Sequence, residues 1–480
     1  MARHHWQGGD CAGVRVDAPE VCQPSEGARR CRIIPLMDKQ QLRQFRAALL
    51  ETDEALTPDD PRYVPGLHGT AEEDVISALL DEILTRPALG SHLFYFTGQR
   101  GTGKSTELRR LEQSLKAENT EVIRFDSLDF ITETEPVSVE SVLLLVTAGL
   151  AAWADEHYKQ DFLIAGAWTR FAAWLQTDVE LTEVSAHGLK LKLKEQQVSV
   201  AEKIRMLSTP LEWTKKVQAF AEEIVEFVRQ RGKRQRVVVI VDSLERLRGV
   251  SGVDLDAMFN HVVITFAGDF DRLRIPGASV VYSVPPYLAL LSDVRNFVTC
   301  HALASVRVYG KPFADSKPTA ERRQPRPEGL QKMRGLIERR YAAWAQVLTP
   351  DALNQLALAS GGDLRHFMQR LISGVVGQAQ FALARLPLQA NDPIIQRVLD
   401  ENRGETERLT VRSEWPLLAD IAKRHNAFAA DRGDSLRTLA RLFDTRVILN
   451  YRNGAEWFDV HPLLWPLLDS LDEPSQPAAA

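Results

Sequence analysis

The chain has few cysteines, no long apolar run and no excess of charge of one sign, and each absence excludes a class of protein. The spacing of its four cysteines fits neither a zinc site nor a disulfide framework. No apolar run approaches the length of a membrane span, and the first residues lack the apolar segment of a signal peptide. We therefore expect a reduced cytoplasmic protein without membrane contact. The cysteines are Cys11, Cys22, Cys31 and Cys300.

The composition is that of an ordinary globular protein. The 480 residues are enough for two to four domains. Hydrophobic residues make up 44% and charged residues 26%, an ordinary balance. The net charge of −5 means that any nucleic-acid contact would need a local basic patch. Residues 1–36 show no periodicity and are predicted to be a disordered tail, with a metal site at His4, His5 and the cysteines as the alternative.

The most informative stretch is Gly98–Ser105, which reads GQRGTGKS and fits the phosphate-loop pattern G-x-x-x-x-G-K-[ST]. An apolar strand, Leu93–Phe96, precedes it and a helical pattern follows it. We predict that Lys104 reaches the β- and γ-phosphates of a nucleotide and that the Ser105 hydroxyl binds Mg²⁺. The alternative is a glycine-rich turn that binds nothing. The predicted nucleotide contacts are Gly98, Gln99, Arg100, Gly101, Thr102, Gly103, Lys104, Ser105 and Thr106.

A second chemical motif follows the apolar run Val237–Val241, which predicts a central parallel strand. Asp242 stands at the carboxyl end of this strand, where α/β sheets place their ligands. We expect Asp242 to hold Mg²⁺ opposite Ser105, and Glu245 to orient or deprotonate an attacking water. The alternatives are a helix cap for Asp242 and a surface ion pair with Arg246 for Glu245.

Strand and helix patterns alternate around these motifs and predict a parallel sheet with helices on both faces. Glu121–Asp126 and Ala278–Val284 are further strands, and Ser305–Tyr309 is expected to close the sheet. Ser283 stands where a polar residue beside the γ-phosphate is expected.

Two regions flank this predicted core. The loop Pro58–Gly69 could wall a base pocket, with Tyr63 and Val64 contacting adenine, or could pack as an ordinary loop. A helical insertion spans about 137–230. Within it, residues 188–198 alternate apolar and charged, which predicts a strand whose lysine face contacts nucleic acid or an acidic partner, or protects a sheet edge.

Helical patterns return after the proline- and charge-rich connection Lys311–Glu328. Gly361-Gly362 ends one helix, Asp363 caps the next, and Arg365 lies in its first turn, where the helix dipole opposes a cation. A phosphate across a cleft could hold Arg365; the alternative is a pair with Asp363. The predicted helices are Leu330–Ala345, Pro350–Ser360 and Asp363–Leu383.

The last predicted unit, residues 408–471, places two helices before a hairpin with an Asn-Gly turn, which looks like a winged helix. The predicted domains are thus a tail at 1–36, a core at 37–320, a helical lid at 328–385 and this unit, followed by a loose tail at 472–480.

This order of motifs resembles the AAA+/STAND superfamily of P-loop ATPases over roughly residues 60–470. The lid and winged helix look most like those of origin-recognition initiator ATPases and signal-transducing STAND ATPases. The resemblance implies Walker A roles for Lys104 and Ser105, a Walker B role for Asp242, and sensor roles for Ser283 and Arg365. It also makes Arg272 and Arg274 candidates for an arginine finger, with solvated helix-end charges as the alternative. Many AAA+ proteins carry Glu directly after the Walker B Asp; here that position is Ser243, which implies slow hydrolysis.

The resemblance implies a switch that binds ATP and Mg²⁺ and hydrolyses ATP slowly, in signalling or bacterial defence, with a protein effector as partner and a nucleotide-dependent homo-oligomer as a further form. Two alternatives are a DNA-binding ATPase of the initiator or transposition-helper type, acting through the winged helix, and a scaffold that binds ATP without hydrolysis.

Overall fold

The computed structural model describes residues 39–50, 55–130, 137–158, 166–178, 210–246, 255–312, 323–382, 385–427 and 434–472. The predicted tail at 1–36 and the predicted lysine-faced strand at 188–198 lie outside these residues, as does the predicted tail at 472–480 apart from Asp472. The described residues all belong to one compact unit, which begins at Met37. None of the helices in the described ranges combines the length and apolar character that a bilayer span requires.

The first half of the described chain alternates helices and strands, as the periodicity predicts. Apolar residues at helical spacing give each helix one buried face, and β-branched and aromatic runs form the strands. The helices are α1 (Lys39–Leu50), α2 (Val75–Thr85), α3 (Lys104–Ala117), α4 (Val139–Tyr158), α5 (Ala167–Asp178), α6 (Pro210–Gly232), α7 (Leu255–Val263) and α8 (Ser292–Phe297). The strands are β1 (His92–Gly98), β2 (Thr120–Asp126), β3 (Arg236–Asp242), β4 (Ser279–Val284) and β5 (Thr299–Leu303).

The five strands form one parallel sheet in the order β2-β3-β4-β1-β5. Strand β4 separates β1, which leads into the phosphate loop, from β3, which ends at Asp242. All carboxyl ends therefore lie at one edge of the sheet, and the predicted motifs meet there.

The prediction that Ser305–Tyr309 closes the sheet is wrong, because the edge strand is β5. The sequence pattern did not indicate β5 because this strand contains polar residues. The Thr299 hydroxyl donates to Glu82 of α2 at 2.8 Å, and the His301 ring lies 3.1 Å from the same carboxylate. Val306 and Val308 of the predicted strand are buried for another reason. The Ser305 amide donates to Asn450 O at 2.9 Å, so this segment packs against the end of the chain.

A helical region and a C-terminal hairpin follow the sheet, so the predicted fold class is confirmed. The Gly454 turn (φ +79°) joins two antiparallel strands. Helices α12 and α15 were not predicted. The elements are α9 (Pro327–Glu338), α10 (Pro350–Ala359), a π-helical turn His366–Ile372 that leads into α11 (Ser373–Ala382), α12 (Pro393–Glu407), α13 (Trp415–Arg424), α14 (Asp434–Asp444), β6 (Ile448–Asn453), β7 (Ala455–Val460) and α15 (Trp465–Asp472).

A buried ion pair joins the segment before α9 to the C-terminal hairpin. The Arg323 guanidinium donates two hydrogen bonds of 2.6 Å to the Asp459 carboxylate and one of 3.1 Å to Ala422 O. The side chains of both ions are buried, at 0% and 3% exposure. The guanidinium also lies 4.3 Å from the ring centroid of Trp465, a cation–π contact. Arg323 is therefore part of the interior of the C-terminal region.

Replacing Arg323 with methionine is expected to lower the free energy of unfolding by about 3–5 kcal/mol, because Asp459 would remain buried without its cation. Chemical denaturation followed by circular dichroism measures the change. Arg326→Met is the control, since Arg326 pairs with Glu328 at the surface and should change stability by less than about 0.5 kcal/mol. Equal effects of the two variants would contradict a structural role for the buried pair.

Candidate phosphate-binding site

The turn between β1 and α3 has the backbone shape of a phosphate cradle. Gly101 and Gly103 both have φ of +90°, a conformation that side chains disfavour. A Cβ at Gly101 would also stand 2.7 Å from the Cβ of Arg365. Helix α3 begins at Lys104 directly after the turn, so its free amides point into the loop. An anion is the ligand that such a cradle fits.

Lys104 lies folded into this loop and is 4% exposed. Its ammonium group donates to Gly98 O at 2.8 Å and to Gln99 O at 3.1 Å. It also contacts the Glu245 carboxylate at 3.1 Å. The positive charge is thus held inside the glycine turn, where a phosphate oxygen would meet it.

Carboxylates gather at the ends of the neighbouring strands. Asp242 ends β3 and has a hydrogen bond with the Ser105 side chain. Burial, followed by repulsion from Glu245, raises the pKa of Asp242. Ser243, at φ +68°, donates from its hydroxyl to Asp126 at the end of β2, at 2.8 Å. The sequence analysis did not assign Asp126 to the site. The polar residue at the end of β2 was the feature that could have indicated it.

At this site, phosphate and water oxygens would have to complete the coordination of Mg²⁺. Among the described residues there is no group of three or more His, Cys, Asp or Glu side chains that could hold a metal ion. Ser105 and Asp242 provide one hydroxyl and one carboxylate, side by side. Mg²⁺ commonly keeps several waters and binds substrate phosphates together with one or two protein oxygens, so this donor set fits it.

Glu245 connects two other predicted site residues. Its carboxylate contacts the Lys104 ammonium and accepts a 2.7 Å hydrogen bond from the Ser283 hydroxyl. Burial acts to raise the pKa of Glu245, but the attraction of Lys104 and the hydrogen bonds that the carboxylate accepts together outweigh it, and the pKa is lowered. The alternative of a surface ion pair with Arg246 is not what the structure shows, because the Glu245 side chain is 8% exposed and pairs with Lys104.

Arg365 lies beside Gly101 of the loop, and other arginines lie near it. Burial, and then the charges of Arg100 and Arg446, lower the pKa of Arg365, and Arg246 acts in the same direction. Arg365 makes no hydrogen bond or ion pair with any residue in the described ranges. The alternative of a pair with Asp363 is not observed, because Asp363 caps the amide of His366 at 2.9 Å and pairs with Arg446 at 3.1 Å.

Arg446 is a further site residue that the sequence analysis missed. It precedes β6, more than eighty positions after Asp363, and no local pattern indicates that the two meet. The candidate fingers Arg272 and Arg274 already have partners: Arg272 donates to Glu140, and Arg274 pairs with Asp271 at 3.0 Å.

The predicted base loop covers the start of α3. The Leu56 amide donates to the Thr106 hydroxyl at 3.2 Å, and the His68 ring lies 3.9 Å from the Cβ position of Gly103. The Tyr63 hydroxyl donates to Glu107 at 3.3 Å, and burial raises its pKa to about 12. Tyr63 and Val64 as adenine contacts remain a prediction.

Comparisons with known proteins show what this domain is similar to. Residues 73–262 match the KAP family P-loop domain. No curated protein matches the chain significantly. Similar solved structures include Drosophila ORC bound to DNA, with 13% identity, coverage of 93% of this chain and 96% of that one, and a TM-score of 0.33. The Aeropyrum pernix ORC1 protein in complex with DNA has 15% identity, coverage of 89% and 96%, and a TM-score of 0.31.

A Walker-type ATPase of Pyrococcus abyssi is similar at 14% identity, with coverage of 83% of this chain and 95% of that one and a TM-score of 0.34. The family match, by contrast, includes the phosphate loop, Asp242 and Glu245. It agrees with the glycine cradle, the buried lysine and the carboxylates at the strand ends. The chain therefore contains a nucleotide-binding P-loop NTPase domain that is similar to that of the KAP family.

Proposed function

We propose that the protein binds ATP with Mg²⁺ and hydrolyses it slowly, as a molecular switch. The observation that carries this proposal is the gathering of both charges around the phosphate loop. Arg100, Arg246 and Arg446 lie near Arg365, and Asp363 pairs with Arg446 among them. Asp126 and Glu245 lie near Asp242 at the strand ends, and Lys104 pairs with Glu245. A triphosphate complements the cations, and its metal ion complements the carboxylates.

Each residue has a part in this proposal. The loop amides and Lys104 bind the β- and γ-phosphates, and Arg365 binds the γ-phosphate from the lid. Ser105 and Asp242 hold Mg²⁺, which neutralises charge on the phosphates. Glu245 takes a proton from a water whose oxygen bonds to the γ-phosphorus, while the bond to the β-γ bridging oxygen breaks. Ser283 positions Glu245.

The contacts of Glu245 support slow turnover. Its pKa is lowered, so the carboxylate is a weaker base than an ordinary glutamate. Its partner Lys104 is also the group that should bind phosphate. The carboxylate must therefore exchange one partner for another before it can act on water.

We further propose a protein effector as partner, in signalling or defence, with a second copy of this chain as another possible partner. DNA binding through the C-terminal helices has less support. Every described residue of α14 from 436 to 444 is buried or half-buried, and α14 packs against the turn Pro286–Leu290. DNA could reach α14 only if this helix first moved away from the turn. Filter binding at increasing salt would detect DNA binding as a steep salt dependence.

Replacing Arg365 with alanine is expected to weaken binding of Mg²⁺-ATP by about 10- to 100-fold, the loss typical of a hydrogen bond to a charged group. Without nucleotide, the variant should be no less stable than the wild type, because Arg100 and Arg446 would lose a repelling neighbour. Isothermal titration calorimetry and thermal unfolding measure the two effects.

The control is Arg370→Ala, an exposed arginine on the same helical segment that pairs with Glu405 at 3.5 Å. It should bind Mg²⁺-ATP like the wild type. Wild-type affinity in Arg365→Ala would remove Arg365 from the site. A wild-type protein that takes up neither ATP nor GTP with Mg²⁺ would contradict the proposed function as a whole.

A further inference from the structure

The second residue of the phosphate loop, Gln99, reaches across to the C-terminal hairpin. Its side chain is buried, at 1% exposure. The amide nitrogen donates to Ile448 O in β6 and to Phe443 O at 3.4 Å. The amide oxygen accepts from the Ser305 hydroxyl at 3.4 Å. Both ends of this side chain therefore bind segments far from the loop in sequence.

The backbone of the same residue holds Lys104. The Gln99 carbonyl accepts from the Lys104 ammonium at 3.1 Å and from the Thr102 hydroxyl at 2.8 Å. Gln99 thus makes two kinds of contact. Its backbone carbonyl accepts from Lys104, the residue that should bind phosphate, and its side-chain amide donates to the C-terminal hairpin. Any displacement of this peptide group acts on both contacts.

Other contacts join the C-terminal hairpin and a residue just before it to the lid and to Ser305. The Tyr451 hydroxyl donates to Gly361 O at 2.6 Å. The Ser305 amide donates to Asn450 O at 2.9 Å, and Arg446 pairs with Asp363 beside Arg365. Strand β6 is therefore held between the phosphate loop and the segment that carries Arg365.

We propose that Gln99 is a positioning residue that couples the phosphate loop to β6, so that nucleotide binding changes how firmly the hairpin is held. This proposal rests on the proposed function. A phosphate oxygen that binds the Lys104 ammonium competes with the Gln99 carbonyl for it. Loss of that contact loosens the Gln99 peptide group, and with it the hydrogen bond to Ile448.

Gln99→Met tests the coupling, because methionine has a similar volume and cannot donate to Ile448 O or Phe443 O. Amide hydrogen exchange of the full chain, read by mass spectrometry over residues 446–453, measures how firmly β6 is held. The measurement is made without nucleotide and with Mg²⁺ and ATP. Gln378→Met is the control, because Gln378 of α11 donates at 3.0 Å to Glu401 of α12 and not to β6.

In the wild type, Mg²⁺ and ATP are expected to speed exchange in β6 by about tenfold, the effect of losing one buried hydrogen bond. In Gln99→Met, exchange should already be about tenfold faster without nucleotide, and ATP should add less than about twofold. Gln378→Met should respond like the wild type.

A nucleotide response in Gln99→Met as large as that of the wild type would overturn the coupling, as would a wild type that binds ATP while β6 exchange stays constant. Absence of ATP binding in calorimetry would overturn the proposed function instead. The nucleotide-free comparison would still show whether Gln99 holds β6, so the two failures are distinguishable.

Discussion

Replacing Lys104 with alanine is expected to abolish measurable ATP hydrolysis and to weaken binding of Mg²⁺-ATP by at least about 100-fold. The ammonium group lies inside the loop, within 3.1 Å of two loop carbonyls and of Glu245, so no other side chain can take its place. Phosphate release and calorimetry measure the two losses. Lys116→Ala, an exposed lysine on α3 that pairs with Glu112, should retain wild-type values for both.

The same substitution should also destabilise the protein without nucleotide, because Glu245 would stay buried without a cation. The expected loss is about 3 kcal/mol in the free energy of unfolding, and Glu245→Gln in the same chain should restore much of it. Unchanged stability in Lys104→Ala would mean that the contact between Lys104 and Glu245 does not form in the nucleotide-free protein.

Replacing Glu245 with glutamine is expected to lower turnover by about 100- to 10,000-fold while Mg²⁺-ATP still binds, since proton transfer commonly contributes an effect of this size. Glutamine can keep the hydrogen bond from Ser283 but cannot accept a proton from water. Single-turnover phosphate release separates the chemical step from binding. Glu112→Gln is the control: this carboxylate pairs with Lys116 and Arg124 on the outer face of α3 and should leave turnover unchanged. If Glu245→Gln turned over like the wild type, Glu245 would not be the base.

The motifs that could be predicted are those whose chemistry is local. The phosphate loop needs only a strand, three glycines and a helix start within fifteen residues, so the sequence alone indicated its geometry. The same holds for Asp242 at the end of an apolar strand. In both cases the residues that make the structure are neighbours in the chain.

The features that were missed depend on distant residues. Strand β5 contains Thr299 and His301, whose polarity is explained only by Glu82, more than two hundred positions earlier. Helix α12 carried a start signal, Asp392 before Pro393, but its second half is largely polar and its apolar period is short. Arg446 reaches the site only through the docking of the hairpin, which no spacing rule describes.

The pairing of Glu245 could not be decided from the sequence for a related reason. Arg246 is its neighbour, and neighbouring opposite charges suggest a surface pair. The short helical turn Leu244–Arg246 directs Glu245 to the interior, where Lys104 and Ser283 meet it. The direction of the Glu245 side chain after β3 thus determines which residues it contacts.

The interior position of Arg323 limits how the protein can be divided. A fragment that stops before α13 would retain this guanidinium but lose Asp459, Trp465 and the Ala422 carbonyl that surround it. A hairpin grafted from a homologue would likewise leave Arg323 without its partners, unless the residue at position 323 were exchanged too. The last sixty residues and the stretch before α9 should therefore be transplanted together or not at all.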